Sequence, residues 1–171
     1  MWEAPASGRI RHEESGLLTT LQAIVKETSR LYPAAPLSGP CMAVEDCTIA
    51  GFHIPTGISL IVNLWKLHCD PNTWVNPSEF IPERFIIDQP NLDVRGLHFE
   101  CLPFGSGRRK CPRISLALQV LHFTLARLLH TFELGMVSET AVDMSEGPGL
   151  TVPKATPLEI VITPKAAFHV I

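Results

Sequence analysis

The run Pro103-Phe104-Gly105-Ser106-Gly107-Arg108-Arg109-Lys110-Cys111-Pro112 constrains this chain more than any other stretch. Two glycines permit a sharply turning loop, three consecutive basic residues charge it, and one cysteine ends it. Pro112 and an apolar run from Ile114 follow at once, so the cysteine stands at a helix start. Proline suits a first helical turn, where a missing N–H leaves nothing unpaired. The positive end of that helix and the basic side chains favour a thiolate. The pattern predicts a sulfur offered to a metal centre, with loop N–H groups aimed at it. Basic side chains beside it suit the carboxylates of a cofactor. The plainer alternative is a buried structural cysteine next to a basic surface turn.

Composition narrows the rest. Of 171 residues, 46% are hydrophobic and 18% charged, the balance of one domain with a real core rather than of a disordered chain. A net charge of −3 gives no basic field for nucleic acid. The five cysteines, at 41, 47, 69, 101 and 111, are odd in number, irregularly spaced and lack a CxxC pair. That argues against a disulfide framework or zinc ribbon and for reduced thiols. His68-Cys69 has no second pair to complete a metal site and reads as part of a packed loop. The N-terminus has no signal-peptide core. No apolar run reaches the roughly 18 residues of a membrane span; the nearest, 114–129, contains Gln119, His122 and Arg127.

Leu17, Leu21, Ile24 (or Val25), Thr28 and Leu31 recur at helical spacing and predict a helix over 17–31, stopped by Pro33. Residues 1–14 are polar and aperiodic. Short β-prone runs over 47–64 predict strands, with Pro55-Thr56-Gly57 as a hairpin turn. Residues 70–102 read as a long irregular region anchored by Trp74, Phe80, Phe85 and Phe99. A loop of that length is functional or packed down by its own side chains. The stretch 114–132 predicts a second long helix, apolar over most of its surface and hence buried. Residues 150–152 and 158–162 read as paired strands around a turn over 153–157. The expected class is mainly α with small β-sheets (α+β), in one unit over 1–171.

Three motifs carry a resemblance. Phe104-x-x-Gly107-x-Arg109-x-Cys111 resembles the haem-binding signature of the cytochrome P450 monooxygenases, apart from its final glycine. Glu27-Thr28-Ser29-Arg30 resembles the family's ExxR motif, and Pro82-Glu83-Arg84-Phe85 its PERF motif, in the right order. The likeness covers about residues 9–165. It implies the C-terminal third of that fold: K helix, β hairpins, meander, cysteine loop, L helix and terminal strands. Residues 1–14 would then be a polar N-terminal segment and 15–171 the haem-binding portion. Asp70-Pro71-Asn72-Thr73-Trp74 and Leu92-Asp93-Val94-Arg95-Gly96 look like a plant branch that oxidises terpenoids, flavonoids and alkaloids.

The resemblance implies haem b as cofactor, with Cys111 as the axial ligand of its iron. Phe104, Gly107 and Arg109 complete the cofactor-binding set, Arg109 pairing with a propionate and Phe104 shielding the sulfur. It implies a buried triad of Glu27, Arg30 and Arg84. Glu27 and Arg30 share a helix face at i, i+3, and once buried they need a third partner. Electrons would come from NADPH through a cytochrome reductase, docked in part by Arg108, Arg109 and Lys110. The substrate would be small and hydrophobic, and no nucleic acid is expected as a partner. A full-length member is expected in the endoplasmic reticulum membrane. This chain shows no anchor and would be cytoplasmic or loosely membrane-associated. The distal, oxygen-activating helix is expected outside this sequence, so no catalytic residue is assigned within it. Arg113 replaces the signature glycine and is expected to clash or to swing toward a propionate. Cys41 and Cys69 stand where that branch carries basic residues. The second reading is a truncated, non-catalytic fragment that keeps only the proximal scaffold and binds haem weakly or not at all.

Overall fold

In the computed structural model, which describes residues 10–165 and side chains from Gly16 onward, two long helices and an irregular segment share one core. Helix α1 (Ile10–Leu31) contributes Ala23 and Val25, and helix α3 (Ile114–Thr131) contributes Ile114 and Leu118. The irregular segment between them supplies Trp74, Phe85, Leu92, Val94 and Cys101. Between the long helices lies a short one, α2 (Leu64–His68). Three two-stranded antiparallel sheets complete the mixed architecture.

Helix α1 begins seven residues before the apolar stripe does. Once nucleated, a helix propagates on one backbone bond per residue and needs no apolar face to do so. The expected boundary after residue 14 therefore falls inside a continuous helix, while residues 1–9 lie outside the described residues. Leu21 and Leu31 of the stripe are buried, but Leu17 is 66% exposed.

The strand pairing differs from expectation in three places. The hairpin turn is Ala50-Gly51, not Pro55-Thr56-Gly57. It joins β2 (Cys47–Ile49) to β3 (Phe52–Ile54), and both turn residues have positive φ, 50° and 84°. Two successive positive-φ residues give the turn whose twist matches that of paired strands. Residues 55–57 instead lead into β4 (Ser59–Leu60), which pairs with β1 (Cys41–Met42). The apolar run 58–64 does not continue as a strand, because Asn63 caps α2: its side chain accepts the Lys66 N–H at 2.8 Å. At the C-terminal end, β6 (Ile160–Pro164) pairs with β5 (Phe132–Met136), which continues directly from α3. Residues 150–152 form no strand.

Two further expectations fail on burial. In α3 only Ile114 and Leu118 are buried, whereas Leu116, Val120 and Phe123 are exposed. One side of the helix meets α1 and the core, with Leu125 packed at its edge, and these three stand exposed. In the irregular segment Trp74 and Phe85 are buried with ring centroids 5.9 Å apart, while Phe80 and Phe99 are exposed. The segment is anchored by two aromatics, not four.

Candidate functional site

The segment around Trp74 is ordered without regular structure because two arginines satisfy its backbone. Glu27 and Arg30 of α1 are both completely buried, and Arg84, in the short 3₁₀ turn Pro82–Phe85, is nearly so. Arg30 donates from Nε and Nη2 to the two oxygens of Glu27, each at 2.8 Å. Arg84 Nε and the Ile81 N–H both donate to Glu27 Oε1, at 3.1 and 2.9 Å. The remaining guanidinium N–H groups reach carbonyls. Arg30 donates to His68, Pro77 and Glu79, and Arg84 to Val75, Asn76 and Glu79. Both guanidiniums also sit over Trp74, 5.1 and 5.8 Å from its ring centroid. Buried carbonyls need donors, and here a charged network supplies them. Burial pushes the Glu27 carboxyl pKa up. The Arg30 and Ile81 hydrogen bonds and the charges of Arg30 and Arg84 outweigh that, and the net shift is down.

The cysteine loop stands on this node. His68 is fully buried and its Nε2 accepts the Leu102 N–H at 2.8 Å. From there the loop is closed by its own backbone: Gly105 N–H to the Leu102 carbonyl at 3.0 Å, and Cys111 N–H to the Phe104 carbonyl at 2.9 Å. Gly105 and Gly107 turn it with φ of 71° and 68°. Among the described residues no hydrogen bond ends on the Cys111 sulfur, contrary to the expected cradle of N–H groups; the Cys111 N–H itself is taken by Phe104. Ser106 Oγ donates to the Gly96 carbonyl at 2.7 Å. A Cβ on Gly96, whose φ is 88°, would lie 2.6 Å from the Gly105 oxygen. The irregular segment is thus seated directly on the loop. Gly96 belongs to a stretch singled out in the sequence, but its role here shows only in three dimensions.

Beyond the loop, α3 starts at Ile114 with Arg113 as its cap, and Pro112 lies in the preceding turn rather than inside the helix. Cys111 and Phe104 are half-buried against the core. Together with Arg109 they line a cavity of about 580 Å³, which Ala34, Ala35, the stretch 37–41 and Leu64 also line. The cavity wall is mostly apolar, Cys41 and Cys111 bring thiols to it, and Arg109 brings a guanidinium. Gly107 stands beside it in the 3₁₀ turn Gly107–Arg109 but does not line it. Arg113 is exposed and also does not line it. All five cysteines are free thiols. Cys101 is completely buried, which pushes its pKa up to about 12, and burial raises Cys69 as well. Cys101 is a structural hydrophobe of the core.

The family profile described as Cytochrome P450 matches residues 4–160, and the chain belongs to that family. Its relatives place it among plant members. It is 58% identical over 162 residues to xanthotoxin 5-hydroxylase of Arabidopsis thaliana, covering 92% of this chain and 31% of that protein. It is 55% identical over 148 residues to vinorine hydroxylase of Rauvolfia serpentina, covering 86% of this chain and 31% of the relative. A zebrafish cytochrome P450 solved with progesterone superposes with a TM-score of 0.74 at 30% identity, over 90% of this chain and 33% of that one. The chain therefore spans about a third of the length of these relatives. Haem iron is the cofactor of this family. An apolar cavity with a thiol and a guanidinium in its wall has the chemistry to hold a flat apolar ring that carries carboxylates. Among the described residues no helix is long and apolar enough to cross a membrane.

Proposed function

We propose that this chain carries the proximal haem-binding portion of a plant monooxygenase, with Cys111 as the axial ligand of the iron. The observation that carries this reading is the meeting of Cys111, Phe104 and Arg109 at one apolar cavity. Among the described residues no cluster of three or more His, Cys, Asp or Glu could hold a metal ion. A metal bound here needs further ligands from outside the protein, which a porphyrin provides. Bound haem iron supplies oxygen activation, and thiolate ligation favours O–O cleavage. Cys111 holds the ligating sulfur, Phe104 covers it on the core side, and Arg109 neutralises a carboxylate of the cofactor. Gly107 gives the turn that brings Arg109 and Cys111 to the same wall. Glu27, Arg30 and Arg84 hold the ground on which the loop stands.

The oxidised substrate is proposed to be a small hydrophobic plant metabolite, in keeping with relatives named for hydroxylating xanthotoxin and vinorine. Electrons are proposed to come from NADPH through a flavin reductase. The exposed Arg108, Arg109 and Lys110 form part of its docking face.

Haem titration followed in the Soret region tests the ligand assignment. The chain is expected to take up haem with a thiolate-type spectrum, and Cys111→Ser to lose that spectrum. Arg109→Leu is expected to weaken uptake by about tenfold, the worth of one charge-assisted hydrogen bond. Identical spectra for the parent chain and Cys111→Ser would overturn the assignment.

A further inference from the structure

His68, the last residue of α2, is engaged at both of its ends. Its carbonyl accepts Arg30 Nη1 at 2.7 Å, and its Nε2 accepts the Leu102 N–H at 2.8 Å. Leu102 opens the loop that ends at Cys111, and its own carbonyl takes the next bond inward, from Gly105. A continuous path thus runs from the buried Arg30 through one histidine to the cysteine loop.

The ring's other nitrogen decides what the histidine is for. Because Nε2 accepts, the neutral ring carries its proton on Nδ1, and Nδ1 is buried without a hydrogen-bond partner. A buried donor left unpaired is destabilising. A phenylalanine ring would fill the same space without that cost. What it would lack is the acceptor at Nε2.

We propose that His68 is a positioning residue for Cys111, suspending the start of the cysteine loop from Arg30 and so fixing where the sulfur stands. The functional consequence rests on the haem-ligand reading, but the tether is a property of the chain without cofactor. Burial holds the imidazole pKa down at about 4, so near neutral pH the ring is uncharged and Nε2 remains free to accept.

Hydrogen exchange on the full chain without haem tests the tether, with the β2–β3 hairpin as internal control. In His68→Phe, exchange at Leu102 and across 102–111 is expected to accelerate about tenfold while the hairpin stays unchanged. His68→Gln, which places an amide oxygen near the position of Nε2, is expected to restore protection. Unchanged exchange in the phenylalanine variant, or equal acceleration in both variants, would overturn the proposal. If the phenylalanine variant does not fold, imidazole nitrogen NMR of the parent chain decides. An unprotonated Nε2 with a protonated Nδ1 supports the tether, and the opposite tautomer rules it out. With haem added, the thiolate-type spectrum is expected to broaden in His68→Phe and recover in His68→Gln. Absence of haem uptake by the parent chain would defeat the ligand reading alone, leaving the exchange result to judge His68.

Discussion

The node around Glu27 and the outer face of α3 are built on opposite principles. At the node, one carboxylate, two guanidiniums and a run of irregular backbone are buried, and each guanidinium and carboxylate has its partners. On α3, Leu116, Val120, Phe123 and Leu129 are exposed. A second apolar hollow of about 820 Å³ opens beside them, between Leu17, Leu18 and Leu21 of α1 and Phe123, Ala126 and Leu129. The polar region is finished internally and the apolar region is not. Which residues are inside is therefore decided by partners, not by hydrophobicity alone.

The contrast breaks most visibly at Glu27. Glu27→Ala leaves two buried guanidiniums without their carboxylate and is expected to cost about 3–5 kcal/mol, read by denaturant unfolding. A loss under about 1 kcal/mol would mean the node is solvated rather than closed.

Acid is the next largest lever. His68 titrates at about 4 in the fold against 6.5 in a free chain. Its stability contribution is complete above pH 6.5 and is lost as pH falls toward about 4, because only the unfolded chain takes up the proton in that window. The loss amounts to about 3 kcal/mol by the usual conversion. Glu27, whose pKa is lowered in the fold, adds a further loss of the same sign below the ordinary carboxylate range. Unfolding midpoints measured from pH 7 to pH 4 should fall steadily. A flat profile would contradict the burial of His68.

Gly96→Ala sharpens the comparison at the seam between node and loop. Its positive φ and the 2.6 Å approach to the Gly105 oxygen predict a cost of about 1–3 kcal/mol. Proteolysis or exchange should show the damage concentrated at 96–111. The smallest effect is expected on the open face. Phe123→Ser should change stability by no more than about 0.5 kcal/mol while reducing self-association seen by light scattering. A cost of about 3 kcal/mol there would show the face to be covered.

What could be read from the sequence follows from distance along the chain. Phe104, Gly107, Arg109 and Cys111 lie within eight residues, so their spacing is legible in the sequence, and the structure gathers three of them at one cavity. Glu27 and Arg30 are one helical turn apart, and only their link to Arg84 crosses 57 positions. The pairing of β5 with β6 joins residues nearly thirty apart, whereas the turn signal over 153–157 points to a local hairpin of 150–152 with 158–162. The cap at Asn63 is one polar residue inside an apolar run and carries no periodic signal. The His68–Leu102 bond spans 34 positions and leaves no local trace. The exposure of α3 is illegible in the sequence for a different reason: an apolar helix records that it has partners, not whether they are present.

The ligand assignment at Cys111 is tested most directly by the spectrum of the haem-loaded, dithionite-reduced chain under carbon monoxide. A Soret band shifted far to the red, as thiolate ligation produces, is the result expected of the parent chain, together with its disappearance in Cys111→Ser. An unshifted band in the parent chain, or a red-shifted band that survives Cys111→Ser, would contradict the account.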